Sequence, residues 1–117
     1  MSYEVEKNWV TEAGLRAVCI LIKGSHRCGY VHVPEYHPLF GKHYLELSDI
    51  DVHGGLTYSS AGEKYPIQSE GWWFGFDCAH YMDGSLNPLL RNEHPVRTTE
   101  YVFHECESLA QQLAEMK

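Results

Sequence analysis

The chain lacks several features that would assign a small protein at once. No CxxC pair occurs among its four cysteines, Cys19, Cys28, Cys78 and Cys106, which excludes a zinc ribbon and a thioredoxin-type redox motif. Apolar runs are short. The longest, Ala17–Ile22, falls far below the roughly 20 residues that cross a bilayer, so no membrane partner is expected. Cations are few: 9 Lys and Arg against 16 Asp and Glu leave a formal net charge of −7. That balance offers no basic stripe for a phosphate backbone and argues against duplex nucleic acid as a partner. Neither GxxxxGK[ST] nor GxGxxG is present, so no standard phosphate loop is expected. The first residues, Met1-Ser2-Tyr3-Glu4-Val5-Glu6, carry neither a basic nor an apolar segment, so no secretory signal is visible and the expected location is the cytoplasm.

What is present is the composition of an ordinary globular domain. The 117 residues are 44% hydrophobic and 21% charged. A chain of this size forms one domain, 1–117, and buries roughly two-thirds of its unfolded surface without staples. The cysteines are therefore expected as free, buried thiols. Aromatics, at 13%, are enough to fill a small core or line a pocket. The 8 histidines bring the net charge close to zero in mild acid.

Periodicity predicts an α+β fold, a mainly antiparallel sheet of about five strands closed by a carboxy-terminal amphipathic helix on one face. Tyr3–Val10 is compatible with an opening strand. Leu15–Lys23, built on Ala17–Ile22, predicts a central strand, Gly24–Gly29 a turn, and Tyr30–Val33 a second strand stopped by Pro34. One helical turn is expected near His37-Pro38. Leu45–Val52 predicts an edge strand or an acidic loop, Leu56-Thr57-Tyr58 a further strand, Ala61–Gly71 a polar loop, and Trp72–Phe76 a buried strand. Gly84–Pro95 predicts a long ordered loop. Thr98 is placed to cap a helix of about 18 residues, whose apolar stripe is Val102, Cys106, Leu109, Ala110 and Leu113.

Trp72–Phe76 delivers Asp77, Cys78, His80 and Asp83 at its end, and a rigid strand ending in titratable groups is a common way to hold a site. Asp77, His80 and Asp83, spaced i, i+3 and i+6, fall on one side of a turn. With His53 as a distant third donor, Asp77 and His80 suit a divalent metal such as zinc or manganese. The structural alternative is that Asp77 caps the turn while His80 is a satisfied, half-buried imidazole. Cys78 is expected as a buried thiol, because Asp77 and Asp83 would raise its pKa. In His53-Gly54-Gly55-Leu56-Thr57-Tyr58-Ser59, two glycines permit positive φ and bring main-chain donors close to a ligand, or else simply form a hairpin corner. Trp72 and Trp73 point to opposite faces, one into the core and the other available to stack on a base or sugar.

Together, Gly29–Lys42 (GYVHVPEYHPLFGK), Val52–Tyr58 (VHGGLTY) and Trp72–His80 (WWFGFDCAH), followed by Arg97–Val102 and Glu105, resemble a family of small, largely uncharacterised proteins from tailed bacteriophages and prophages. The resemblance covers residues 29 to about 110. It implies a phage accessory role in the host cytosol and a shared site drawn from His37, Lys42, His53, Thr57, Asp77, His80 and Glu105.

The leading expectation is a polar pocket at the sheet end for a small, nucleotide-like ligand. It would be formed by His53, Gly54, Gly55, Thr57, Trp73, Asp77, His80, His37 and Lys42. One alternative is a metal-dependent hydrolase in which His53, Asp77 and His80 hold zinc or manganese and activate a water. A second is an adaptor that binds and inhibits a host protein through the acidic Glu46-Leu47-Ser48-Asp49-Ile50-Asp51 surface.

Overall fold

The structure, a computed structural model, describes residues 2–47, 49–80, 82–90 and 93–116. Five strands, β1 (Tyr3–Val10), β2 (Arg16–Ile22), β3 (Arg27–Val33), β4 (Tyr58–Ala61) and β5 (Trp72–Asp77), form one sheet. Their spatial order is β1-β2-β3-β5-β4, and every adjacent pair is antiparallel. Helix α1 (Thr99–Glu115) packs against β2 and β3. This is the α+β arrangement that the periodicity predicts.

Side-chain alternation divides the core between the two faces of the sheet. Ala17, Cys19, Val31, Val33, Phe74 and Phe76 project toward the helix and meet its stripe of Val102, Cys106, Leu109, Ala110 and Leu113. Val18, Ile20, Cys28, Tyr30 and Trp73 project the other way. That second face is covered by the β4–β5 connection. Tyr65 and Ile67 pack on it, Pro66 is fully buried, and Tyr3 Oη donates 2.9 Å to the Pro66 carbonyl. All four cysteines are free and buried, as expected for a chain with an adequate core.

In the long connection between β3 and β4 the structure takes the acidic-loop alternative of the sequence reading, since no described residue of 45–52 lies in a strand. A single 3-10 turn, Tyr44–Glu46, begins the segment, with His43 and Glu46 capping each other's backbone. The other described residues are loop, in which Leu47, Ile50 and Leu56 pack against the helix-side core and Val52 is buried in it. The core-packed positions Leu47, Ile50, Val52 and Leu56 are spaced 3, 2 and 4 residues apart, which is not the period of 2 of a half-buried strand. Pro34–Phe40 runs as successive turns with no helix, and Leu56-Thr57 precedes the strand that starts at Tyr58. Arg27-Cys28-Gly29, expected in a turn, already belongs to β3. Thr98 caps α1 as expected, accepting from the Tyr101 backbone N–H at 3.0 Å.

Candidate functional site

The antiparallel arrangement brings three separate segments to one end of the sheet: the Gly-Gly turn after Val52, the loop after β5, and the first turn of α1. His53 sits where they meet. Its Nε2 lies 2.8 Å from Asp83 Oδ2 and its Nδ1 lies 2.7 Å from Tyr101 Oη. Its backbone N–H donates 2.7 Å to Glu105 Oε1, so α1 holds the turn through two side chains.

Asp83 is the pivot. Its side chain is only 1% exposed and accepts from Arg97 Nε at 2.9 Å, from His53 Nε2, and from the His80 backbone N–H at 3.0 Å. Burial alone would push the Asp83 carboxyl up, but these donors outweigh it and hold its pKa below the ordinary value. Arg97 in turn stacks over the Tyr101 ring, with its Cζ 4.9 Å from the centroid. A buried carboxylate with a guanidinium and an imidazole as partners is a charge network that fixes geometry, since each member left alone would be a costly buried group.

His80 packs against this network. Its ring centroid lies 5.8 Å from that of His53. A Cβ at Gly54 would stand 2.1 Å from His80 Nε2, so only glycine lets the turn lie against the imidazole. Gly54 and Gly55 both take the left-handed conformation, at φ 67° and 80°. His80 Nε2 is buried and makes no hydrogen bond; it stands 3.3 Å from Asp77 Oδ1, inside ion-pairing distance but too poorly aligned to bond. Asp77 meanwhile accepts from Ala79 N and Thr57 Oγ1, each at 3.1 Å. The Asx-type cap expected at Asp77 is therefore present, and it ties Thr57 to the same cluster.

Beside this cluster opens a pocket of about 290 Å³ lined by Ser25, His26, Ala79, His80, Asp83, Gly84 and Ser85. His26 comes from the β2–β3 turn, where its Nδ1 lies 2.7 Å from Ser25 Oγ. Burial depresses the His26 pKa, against the opposing pull of Asp77 and Asp83.

Of the residues expected from sequence, His53, Gly54, Thr57, Asp77 and His80 converge, with Gly55 in the same turn. Trp73, His37 and Lys42 do not. Trp73 is fully buried on the face away from the helix, with Nε1 donating 2.9 Å to Ser69 Oγ, and it precedes Asp77 by about 13 Å of strand rise. Trp72 lies on the opposite, helix-side face at the same end of the strand, with Nε1 donating 3.0 Å to the Lys42 carbonyl. His37 Nε2 lies 2.8 Å from the Leu113 carbonyl, about 18 Å along the helix from Tyr101. No indole therefore walls the pocket.

The expected metal triad is not assembled either. Both ring nitrogens of His53 are engaged, and among the described residues no group of three or more His, Cys, Asp and Glu is arranged to hold a metal ion. Cys78 is fully buried and its thiol pKa is pushed well up by burial, which removes it as a nucleophile. In the acidic segment, Glu46 is spent on the His43 cap and the Asp51 backbone is bonded to Gln112, while Ser48 lies outside the described residues.

Asp83 as pivot, Arg97 and Tyr101 as its helix-side supports, and Ser25 and His26 as pocket lining were not among the expected site residues. Asp83 did carry a signal, its place in the Asp77–Asp83 cluster. The others are ordinary residues until the chain is folded. Comparison adds no assignment: no protein-family model, curated protein or solved structure significantly matches the chain. Among the described residues no helix is long and apolar enough to cross a membrane.

Proposed function

We propose that this chain is a small phage-type accessory protein that binds a nucleotide-like ligand in the pocket between the β2–β3 turn and the loop after β5. One observation carries the reading. The pocket of about 290 Å³ presents two imidazoles, His26 and His80, and two hydroxyl-bearing residues, Ser25 and Ser85, against a wall fixed by Asp83. Pockets for drug-sized ligands run from about 300 to 1,000 Å³, so this one suits a single small polar molecule. Imidazole and hydroxyl groups recognise phosphate and sugar oxygens by hydrogen bonding, and the preformed Asp83 network lowers the ordering cost of binding. Because Trp73 is withdrawn into the core, recognition rests on these polar groups rather than on indole stacking. The phage setting comes from the sequence resemblance.

Isothermal titration against a panel of nucleoside monophosphates and cyclic nucleotides tests the reading. Binding of at least one member at one site per chain is expected. Ala79→Trp, which fills the pocket from an exposed position, should abolish it, and His37→Ala, at the far end of the helix, should leave it intact. A panel with no binding member, or binding indifferent to Ala79→Trp, would overturn the proposal.

A further inference from the structure

We infer that the pocket is a metal-independent phosphodiesterase site in which His26 is the general base and His80 the general acid. The inference rests on the nucleotide-like ligand proposed above and adds a reaction to it. Its support is geometric. The two imidazoles belong to different segments, the β2–β3 turn and the loop after β5, yet line the same pocket. His26 has one ring nitrogen committed within the protein, whereas His80 Nε2 is buried without a hydrogen bond among the described residues. His26 Nδ1 is held by Ser25 Oγ at 2.7 Å, leaving Nε2. His80 Nε2 is buried against Gly54 and Asp77, leaving Nδ1.

The two rings also sit in different electrostatic surroundings, which is how paired titratable groups take opposite roles. His26 is faced by Asp77, Asp83 and His80, and burial still outweighs both carboxylates, so it is neutral at pH 7 as a base must be. His80 is faced by Asp77, whose Oδ1 lies 3.3 Å from Nε2, by the His53 ring and by His26, so its ring is placed beside a carboxylate on the side away from the proposed leaving group. Asp77 acts here as a positioning residue.

The step balances without a cofactor. On a 2′,3′-cyclic nucleotide, His26 Nε2 takes a proton from water as the water oxygen forms a bond to phosphorus. The bond from phosphorus to one ribose oxygen breaks, and His80 Nδ1 gives that oxygen its proton. The product is a nucleoside monophosphate, and solvent exchange returns both imidazoles to their starting forms. Phosphorus to alkoxide cleavage needs both proton transfers, since the alkoxide is a poor leaving group.

The test uses the whole chain in excess EDTA, with 2′,3′-cyclic AMP and bis(p-nitrophenyl) phosphate as probes, and follows binding by calorimetry and hydrolysis by chromatography or absorbance. Turnover insensitive to EDTA is expected, with a bell-shaped dependence of kcat on pH. His26→Ala and His80→Ala should each lower kcat by about 100-fold or more while still binding probe, and His37→Ala should not. Asp77→Asn removes a carboxylate that pulls the His26 pKa up against burial and should move the acid limb of the bell to lower pH, a change that a purely structural role would not produce. Binding without hydrolysis by the wild type would overturn this inference and leave the binding site standing. Absence of both would overturn the two together. Hydrolysis that survives both histidine substitutions, or that EDTA abolishes, would also overturn it.

Discussion

Gly54 and Gly55 share a left-handed backbone but differ in what a side chain there would meet. Nothing lies within 4 Å of a Cβ built on Gly55, whereas one built on Gly54 would stand 2.1 Å from His80 Nε2 and 2.2 Å from its Cδ2. Gly55→Ala should therefore cost only the backbone strain, about 1–2 kcal/mol. Gly54→Ala carries the same strain and must also displace the His80 ring, adding about 1 kcal/mol or more. Urea unfolding midpoints of the two variants measure the difference, and histidine NMR shows whether His80 moves. Equal midpoints with an unmoved His80 resonance would mean that the turn and the imidazole do not pack together. At this scale the sequence was informative about Gly54, because paired glycines after a histidine announce a special backbone. It was misleading about Trp73. Adjacent tryptophans on a strand must face opposite ways, but nothing in their order says which face is covered by a loop.

At the scale of elements, the sheet and helix were legible because each is written several times over. The helix has its Thr98 cap and an apolar stripe at its own period, and the bounds Thr99–Glu115 follow from both. The β3–β4 connection was only half legible: alternating Asp and Glu left strand and loop both open, and the choice fell to Leu47, Ile50 and Leu56, which pack on the helix-side core at irregular spacing. What sets the approach of α1 to the sheet is a glycine that the sequence reading assigned to a turn. Gly29 lies mid-β3, opposite Cys19 and Phe76, and a Cβ there would stand 2.5 Å from Phe76 Cζ and 2.7 Å from Cys106 Sγ. Its φ is ordinary, so the constraint is space alone. Gly29→Ala should destabilise the domain by about 1–3 kcal/mol through overpacking. Adding Cys106→Ala removes one of the two obstructing groups and should return part of that loss, a coupling readable in a double-mutant cycle. Strict additivity of the two substitutions would show that the helix can shift away from β3 at no cost.

Across the whole molecule, the site is a property of the fold rather than of any motif. Spacing could suggest that Asp77, His80 and Asp83 share a turn, but His53, Arg97 and Tyr101 join them only because the Gly-Gly turn and the start of α1 reach the same sheet end. The charge network so formed ties domain stability to pH in two stages. Burial holds the His26 pKa below its ordinary value, so the unfolded chain binds this proton more readily than the folded one. Stability should therefore fall as pH drops from about 6.5 toward the folded pKa of His26. Asp83, held below its ordinary value by Arg97 and His53 despite burial, stabilises fully above about 3.9 and progressively less as pH falls through its folded pKa. The two windows are separable by substitution. His26→Asn, polar but not titrating, should flatten the upper stage. Asp83→Asn should remove this residue's share of the lower stage and also depress the neutral-pH plateau by about 3 kcal/mol, because Arg97 and His53 lose a carboxylate that is 1% exposed. Urea unfolding of the wild type and both variants between pH 3 and pH 8 resolves these contributions. A wild type with constant stability from pH 7 to pH 5 would contradict the buried, neutral state of His26. An Asp83→Asn plateau equal to that of the wild type would contradict a network in which one buried carboxylate holds the pocket wall, the Gly-Gly turn and the helix end together.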